Sequence, residues 1–249
     1  MRPEPVVRGR PVDRLRSALV SSLSLNRVGR VPQEDHVATA RAVYNSSASS
    51  YVEFVGPELS SATETPVDQS LLLAFVELVA AGTGKRVADV GCGPGRVAAF
   101  LARHGLDVIG VDVAPGMLAA ARIAHPDIEF EDGQLDDLPM DEGSLAGVVC
   151  WYSIIYTPPE HLGDAFAEIE RVLSPGGYVL VAFQVGNGEP IHRSDAHGTG
   201  LPLTSYRHNL AEVADRLEQA GLEVRVTALR EPEFDHETTQ QGFVMARHL

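Results

Sequence analysis

Hydrophobic residues recur along most of the chain in short runs that follow two different periods. Runs rich in branched apolar residues and bounded by turn signals predict strands; they are Arg86–Val90, Asp107–Asp112, Ile128–Asp132, Leu145–Trp151 and Tyr178–Gln184. Runs with helical spacing lie between them and are Arg96–His104, Pro115–Ala124 and Pro159–Leu173. Gly105 and Gly176 are interpreted as C-terminal stops of two of these helices. This alternation predicts parallel strands joined by right-handed crossovers.

The C-terminal part of the chain breaks the alternation. After Gln184 come a loop, a predicted helix near Asn209–Ala220 and two strand-like runs, Glu223–Leu229 and Gly242–Arg247. Because no helix separates the last two runs, we expect them to pair antiparallel at one edge of the sheet. The pattern as a whole predicts an α/β protein with a doubly wound, mostly parallel sheet.

The N-terminal part divides into a tail and the start of the domain. Residues 1–33 are rich in Pro, Arg and Ser and predict a mobile tail. An Arg-rich targeting peptide is the alternative, which the prolines disfavour because they break an amphipathic helix. The single domain is predicted to span residues 34–249. It begins with one helix or two short ones over residues 34–51, and Thr65-Pro66 then opens a helix through Ala81.

Charge and composition exclude several classes of function. The 249 residues include 20 basic and 34 acidic ones, and residues 1–30 hold seven arginines against two acids, which leaves about −19 for the rest. A protein body this acidic repels phosphate backbones, and nucleic acid is therefore not expected as the partner. No apolar run approaches the roughly 18 residues of a membrane-spanning helix. With two cysteines and no signal-peptide pattern, the expected location is the reducing cytoplasm.

Lys85 is the only lysine in the chain, and it lies just before a predicted strand, where a side chain is usually solvated. A Schiff-base or pyridoxal enzyme needs a buried amine, and a P-loop needs Gly-Lys-Ser/Thr. A dehydrogenase with a Tyr-x-x-x-Lys pair needs a lysine after a tyrosine. None of these arrangements is present.

A glycine-rich turn follows the first of the alternating strands. In the stretch VADVGCGPGR, residues 87–96, the glycines allow the backbone to approach a ligand, and the helix that follows presents free N–H groups. This predicts a nucleotide-like cofactor. Arg96 occupies the sixth position counted from Gly91, where the dinucleotide motif needs a small residue. Asp89, just upstream, would repel a pyrophosphate and attract an ammonium, which favours a cofactor with an amino-acid head.

A second carboxylate ends the next strand. Asp112 closes the run VIGVD, 23 positions after Asp89. A carboxylate in this place can accept hydrogen bonds from both hydroxyls of a ribose. It can also serve as the N-cap of the helix that starts at Pro115, and the two roles are compatible.

Taken together, VADVGCGPGR, VIGVDVAPGML, IEFEDGQLDDLP and the later LSPGGYVLV resemble the class I S-adenosylmethionine-dependent methyltransferases over about residues 40–249. The resemblance implies a Rossmann-like, seven-stranded sheet with an antiparallel C-terminal edge strand, and S-adenosylmethionine as cofactor. It implies that Asp89, Gly91 and Gly93 line the methionine end, together with Cys92 of the same loop. Asp112 would bind the ribose.

The same resemblance assigns the adenine contacts. Val113 and Met117 would pack on the ring. Gln134 stands where relatives often have an acid; its amide oxygen can still accept from the adenine amino group. Leu135 would offer its backbone N–H to the ring, and Gly133 precedes them both.

Further candidates lie where the fourth strand ends, at residues 150–156. Cys150, Trp151 and Tyr156 would flank the methyl donor. The aromatic rings of Trp151 and Tyr156 can attract a sulfonium cation, and core packing is the alternative for both. Relatives often carry histidine at the position of Tyr156, and tyrosine is the poorer general base near neutral pH. Tyr44 matches a tyrosine pattern that closes over the donor in relatives; core packing is the alternative for it and for Tyr51.

The acceptor side is expected in the loop over residues 186–208, where His192 and His197 are the candidate bases. The spacing of its histidines matches no zinc pattern, so no metal is predicted. The predicted function is methyl transfer to a small-molecule acceptor by in-line displacement, in a monomer or homodimer. The alternatives are a nicotinamide-dependent oxidoreductase and a non-catalytic S-adenosylmethionine-binding sensor domain.

Overall fold

A computed structural model describes residues 35–249, so the tail predicted for residues 1–33 lies outside the described part. Seven of the described strands form one sheet in the order β3-β2-β1-β4-β5-β9-β8. They are β1 (Arg86–Val90), β2 (Asp107–Asp112), β3 (Glu129–Asp132), β4 (Leu145–Trp151), β5 (Leu173–Gln184), β8 (Leu222–Arg230) and β9 (Gln241–His248). The first five run parallel, as the alternating pattern predicts. The doubly wound α/β fold is therefore confirmed.

The antiparallel pair expected at one edge is present. β9 pairs antiparallel with β5 on one side and with β8 on the other. The C-terminal strand β9 thus lies inside the sheet, and β8 takes the edge. The burial of the two strands agrees with this order. Residues 241–246 of β9 are all buried, whereas most of β8 is partly or fully exposed.

Six α-helices connect or cover the strands in the described residues. They are α1 (His36–Val55), α2 (Pro66–Ala80), α3 (Arg96–Arg103), α4 (Pro115–Ala124), α5 (Leu162–Val172) and α6 (Leu210–Gln219). The Thr65 side chain accepts from the Asp68 N–H, and Asp68 in turn accepts from the Thr65 N–H, which completes the predicted cap of α2. α1 is a single helix through its serines, because Ser47 donates to the carbonyl of Val43 and is buried.

Two helix ends differ from the sequence prediction. The helix predicted to begin at Pro159 starts as a 3-10 turn, Pro159–His161, before α5. α5 then ends at Val172, so Gly176 is not its stop. Gly176, with φ of 83°, lies in an irregular part of β5, where the register to β4 jumps from Leu173 to Tyr178. The positive φ at Gly176 forms a turn within the strand. In the sequence, a glycine in such a turn looks the same as a glycine that ends a helix.

Apolar side chains pack on both faces of the sheet. One buried cluster joins β1, β4 and β5 to α5 and α6, and the other joins the opposite face to α2, α3 and α4. The sheet is therefore covered on both sides, and its strand ends are the places where a cavity can form. No helix among residues 35–249 combines the length and the hydropathy needed to cross a bilayer.

The segment predicted as a loop contains a small hairpin. β6 (Pro190–Arg193) pairs antiparallel with β7 (Leu203–Tyr206), and a short 3-10 turn, Ala196–Gly198, lies between them. Ala196 and Leu203 of this hairpin segment pack on Ala40 and Val43 of α1 in a third apolar cluster. The hairpin and α1 together cover the carboxyl end of β4.

Candidate functional site

A deep cavity lies at the carboxyl ends of β1, β2 and β4, beneath α1. It encloses about 1070 Å³, with its open mouth included. The residues that line it lie between positions 36 and 165, and they are His36, Val37, Ala40, Tyr44, Tyr51, Val90, Gly91, Gly93, Asp112, Val113, Gly133, Leu135, Asp136, Trp151, Tyr152, Ser153, Ile155, Tyr156, Thr157, His161 and Ala165. A cavity in this position is the expected ligand site of a parallel α/β sheet.

The glycine-rich turn forms the floor of the cavity. The N–H groups of Gly91 and Cys92 both donate to the carbonyl of Val111, at 2.7 and 3.0 Å, which holds the turn against β2. A Cβ on Gly91 would lie 2.2 Å from Cβ of Ser153, so only glycine fits there. Gly93 has a φ of 54° and open space where a Cβ would be. The backbone is thus exposed to a ligand at Gly93.

Asp112 is held at the end of β2 by the loop that it faces. Its carboxylate accepts from the N–H groups of Gly93 and Ala114, each at 2.8 Å. Burial raises the pKa of this carboxyl group above its usual value. Two backbone bonds leave lone pairs of the carboxylate free, and these can accept the vicinal hydroxyls of a ribose.

Asp89 lies in a smaller adjoining cavity, which Tyr51, Cys92 and Arg96 also line. It accepts from the Ala98 N–H at 2.9 Å, and burial raises the pKa of its carboxyl group to about 7. The Arg96 guanidinium binds Glu64 at 2.9 Å and is not free for a phosphate. Two buried carboxyl groups beside an engaged arginine suit the ammonium of an amino-acid head and oppose a pyrophosphate.

The expected adenine contacts are divided by the structure. Val113, Gly133 and Leu135 line the cavity, but Met117 and Gln134 do not. Met117 is almost fully buried beneath it in α4. Gln134 forms an isolated bridge with Asp137, in which each N–H donates to the other's carbonyl at 3.2 Å. The helical and turn geometry directs these residues away from the positions that the resemblance implies.

Two histidines that the sequence pattern does not predict also line the cavity. His36 begins α1 and His161 ends the turn before α5, and their rings stack with centroids 5.5 Å apart. Burial and the neighbouring His161 lower the pKa of His36. No local sequence signal marks them, because they are 125 positions apart and meet only through the fold.

Where β4 ends, Trp151 lines both cavities while Cys150 is fully buried and lines neither. The alternation of a strand places successive side chains on opposite faces, so Cys150 points into the core that contains α5. Burial raises the pKa of its thiol to about 12. The chain then turns sharply at Tyr152, which has a φ of 60°. Cys150 is thus not brought to the cavity.

A cluster of aromatic side chains closes the cavity on the hairpin side. The hydroxyls of Tyr44 and Tyr156 share a short hydrogen bond. The Tyr44 ring also packs edge-on against Tyr51, with centroids 5.5 Å apart. Burial raises the pKa of Tyr156 to about 12, which makes it a poor proton acceptor at neutral pH.

The two candidate bases of the hairpin segment differ in position. His197 packs on Tyr44 and Tyr51, with centroid distances of 5.4 and 5.8 Å, and burial and Arg193 lower its pKa. His192 is exposed and bonds the Thr204 hydroxyl at 2.9 Å, and neither histidine is among the residues that line the cavity. The prediction of His192 as a base therefore finds no support in the geometry, because alternation along β6 directs it outward. Among residues 35–249, no group of three or more potential metal ligands was found.

Comparisons with known proteins agree with this geometry. Residues 87–177 match a family model described as a methyltransferase domain. A probable S-adenosylmethionine-dependent methyltransferase of Mycolicibacterium smegmatis is 33% identical over 153 residues, 58% of this chain and 54% of that protein. The demethylmenaquinone methyltransferase of Beutenbergia cavernae is 34% identical over 109 residues, 44% of this chain and 45% of that protein.

A solved structure extends the similarity to most of the fold. The magnesium protoporphyrin IX methyltransferase of Synechocystis, with bound S-adenosylmethionine, superimposes with a TM-score of 0.63 at 17% identity. The match covers 89% of this chain and 100% of that one. By contrast, the chain spans about half the length of the curated relatives it matches. Residues 87–177 therefore match a methyltransferase domain, and the described fold is that of the solved S-adenosylmethionine-bound structure.

Proposed function

We propose that this protein transfers a methyl group from S-adenosylmethionine to a small-molecule acceptor. The observation that carries the proposal is the cavity itself, with glycine backbone exposed at Gly93 and buried carboxyl groups at Asp89 and Asp112. These carboxyl groups and the exposed backbone match a ligand with an amino-acid head and a ribose. S-adenosylmethionine supplies a methyl group already activated on a sulfonium.

The residues of this chain would divide the binding among them. Asp112 would hold the ribose hydroxyls, and Val113 and Leu135 would enclose the adenine. Asp89 would face the ammonium, whose positive charge favours the ionised carboxylate against the effect of burial. Trp151 extends from the main cavity to the smaller one and would flank the sulfonium, since aromatic rings attract cations.

The acceptor would approach from the side of the hairpin. In-line displacement requires the nucleophile opposite the sulfur, and Tyr44 and Tyr156 line the cavity where it meets the apolar cluster of α1 and the hairpin. The protein would contribute mainly alignment, which can lower the barrier by roughly 7–11 kcal/mol. Where the nucleophile arrives protonated, His197 is the hairpin base nearest to this wall, and its lowered pKa leaves it neutral and able to accept a proton at pH 7.

Equilibrium binding followed by turnover tests the proposal. We expect calorimetry to show saturable binding of S-adenosylmethionine and of S-adenosylhomocysteine, and no binding of NADH. A broad acceptor screen should then produce S-adenosylhomocysteine with at least one small molecule. Binding of NADH in place of the other two would indicate an oxidoreductase. Tight binding of the methyl donor without turnover across the screen would indicate a sensor domain.

A further inference from the structure

The hairpin formed by β6 and β7 presents two different faces. Strand alternation turns Arg193, Leu203 and Ser205 toward α1 and the carboxyl end of β4, where Leu203 and Ser205 are buried. The opposite face carries His192 and Thr204, which bond each other near solvent. The inner face therefore carries one positive charge, that of Arg193, close enough to influence Tyr156 of the cavity wall, although Arg193 itself does not line the cavity.

Arg193 is half-buried and has no carboxylate partner among the described residues. Its one hydrogen bond is a long one of 3.3 Å to the hydroxyl of Ser205. A guanidinium has five N–H donors arranged to bind planar anions, so most of its capacity is unused here. Holding a charge partly out of water is unfavourable unless a counter-charge compensates it.

Most other arginines in the described part of the chain have a carboxylate partner. Arg230 is buried between Asp68 and Glu237, with N–O distances of 3.0 and 2.6 Å. The same holds for Arg96 with Glu64 and for Arg171 with Glu168. In a chain with 34 acidic and 20 basic residues, a carboxylate is easily placed beside an arginine. Arg193 departs from this pattern among the described residues, so its guanidinium can pair with an anion that a ligand supplies.

The charge of Arg193 reaches the aromatic cluster that closes the cavity. Together with burial it lowers the pKa of His197, and at Tyr156 it opposes in part the rise in pKa that burial causes. His197 itself is held with a φ of 54°, a conformation that is costly for a residue with a side chain. Strain of this kind persists where the surrounding structure fixes a side chain in place, and here it fixes the imidazole against Tyr44 and Tyr51.

We propose that the methyl acceptor carries an anionic group, of the carboxylate type, that binds Arg193 beside His197 while the methylated atom lies toward Tyr156 and the donor. The inference rests on the proposed function for the position of the donor. It assigns the hairpin the task of selecting acidic acceptors over neutral ones of the same shape. The pairing is charge-assisted and planar, so a carboxylate can engage two N–H groups of the guanidinium at once.

Ligand titrations observed at His197 test the proposal without knowledge of the true acceptor. The protein, labelled with ¹³C in its histidines and saturated with S-adenosylhomocysteine, is titrated with benzoate and with benzamide, which have nearly the same shape. We expect benzoate to shift the His197 ring signals saturably and to raise the pKa of His197, because a bound anion stabilises the imidazolium. Benzamide should have no such effect.

Three variants localise the effect. R193Q should weaken benzoate binding at least tenfold and leave S-adenosylhomocysteine affinity unchanged. R193K keeps the positive charge but lacks the planar guanidinium, so its affinity for benzoate should lie between those of wild type and R193Q. R207Q is the matched control, because Arg207 follows β7 but already contacts Glu189 and Thr238. If R193Q fails to fold, R193K and the comparison of benzoate with benzamide still test whether Arg193 binds the anion.

The outcomes separate this inference from the proposed function. Equal effects of benzoate and benzamide at His197, no effect of either, or undiminished benzoate binding in a folded R193Q would each overturn the inference. Failure of S-adenosylhomocysteine to bind in the same samples would instead contradict the proposed function. A difference between benzoate and benzamide that R193Q removes and R207Q retains would establish the anion site.

Discussion

Two carboxyl groups, those of Asp89 and Asp112, dominate the electrostatics of the cavity. Asp89 is fully buried and Asp112 is half-buried, and burial raises the pKa of each. Backbone N–H groups stabilise the ionised forms in part, through Ala98 for Asp89 and through Gly93 and Ala114 for Asp112. A ligand with hydroxyls and an ammonium would stabilise the part of the carboxylates' negative charge that the backbone N–H groups leave uncompensated. We therefore expect the same two residues to influence both the affinity for the ligand and the pH dependence of folding.

Asp112→Asn tests the ribose contact. We expect it to weaken S-adenosylmethionine binding by roughly 1.5–3 kcal/mol, because charge-assisted hydrogen bonds are lost while an amide oxygen can still accept from the backbone. Calorimetry measures the affinity, and a thermal melt shows whether the variant is folded. Asp112→Ala should in addition lower the melting temperature, since Gly93 and Ala114 would lose their acceptor. Unchanged affinity in folded Asp112→Asn would remove Asp112 from the site.

Asp89 predicts a pH dependence of stability in the ligand-free protein. The unfolded chain loses the Asp89 proton near pH 4, whereas the folded protein keeps it until about pH 7. The unfolded state therefore binds fewer protons over this interval, and Asp89 lowers the free energy of unfolding as the pH rises from 4 to 7. In Asp89→Asn this decline should be absent, so the variant gains a few kcal/mol relative to wild type by pH 7.

Urea unfolding between pH 4.5 and 8 measures this difference. Asp127→Asn is the control, because Asp127 is exposed and should leave the pH profile of wild type unchanged. Parallel profiles for wild type and Asp89→Asn would show that the buried carboxyl group is not the origin of the effect.

The contrast between His197 and His192 tests the acceptor side. His197→Ala should leave the affinity for S-adenosylmethionine nearly unchanged and lower turnover of an acceptor, by about 10²-fold or more if the imidazole takes the proton. His192→Ala should retain full turnover, since its side chain is exposed and bonds only Thr204. A role as base would lower kcat and shift its pH profile, whereas a positioning role would chiefly raise KM. Full turnover of His197→Ala at every pH would exclude both roles.

Helix α1 works as the cover of the cavity, and three contacts hold it in place. Arg41 pairs with Asp132 at the end of β3, at 3.2 Å. Asn45 accepts from the Gly116 N–H at the start of α4, at 2.9 Å. Tyr44 bonds the hydroxyl of Tyr156. Each contact ends at a different connection at the carboxyl side of the sheet, so α1 spans the cavity from the end of β3 to Tyr156.

Gly116→Ala tests this cover. A Cβ at Gly116 would lie 3.0 Å from both the carbonyl oxygen and Oδ1 of Asn45, and 3.2 Å from Cβ of Ala48. We expect α1 to be pushed from α4, with a loss of about 1 kcal/mol in stability and several-fold weaker binding of S-adenosylhomocysteine. Calorimetry and urea unfolding measure the two effects.

Gly163→Ala is the matched control in α5. Its nearest neighbour would be Nη1 of Arg216, at 3.9 Å, so the added methyl fits. Helix propensity then predicts a stabilisation of up to about 1 kcal/mol with unchanged ligand affinity. If both glycine variants behaved alike, the contact between α1 and α4 would have no part in ligand binding.

The charge of the molecule is divided unevenly, with seven arginines in residues 1–30 and a strongly acidic remainder. The tail composition offers little apolar surface to bury, so we expect deletion of residues 1–33 to leave both the melting temperature and the affinity for S-adenosylmethionine within error. Calorimetry and thermal melts at low and moderate salt measure this. A drop of several degrees that salt abolishes in the full-length chain would show that the basic tail docks on the acidic body.

Local patterns were sufficient for the framework of the protein. The bounds of β1, β2 and β4 and the start of α2 agree with the sequence prediction, because burial in a parallel sheet and a proline-containing cap each leave a mark within a few residues. The glycine turn and Asp112 were predictable for the same reason, since the ligand-facing backbone lies between consecutive elements. The family resemblance rests on these contiguous stretches.

The acceptor side was decided by tertiary structure. His36 and His161 meet only because α1 folds back over the turn before α5. His197 reaches the tyrosines while His192 faces solvent, and that choice depends on the register of a hairpin that no pattern predicted. Cys150 and Met117 turned into the core for a similar reason, because one step along a strand or helix changes the face. Sequence determines which residues are near each other along the chain, whereas packing between distant elements determines which of them share a cavity.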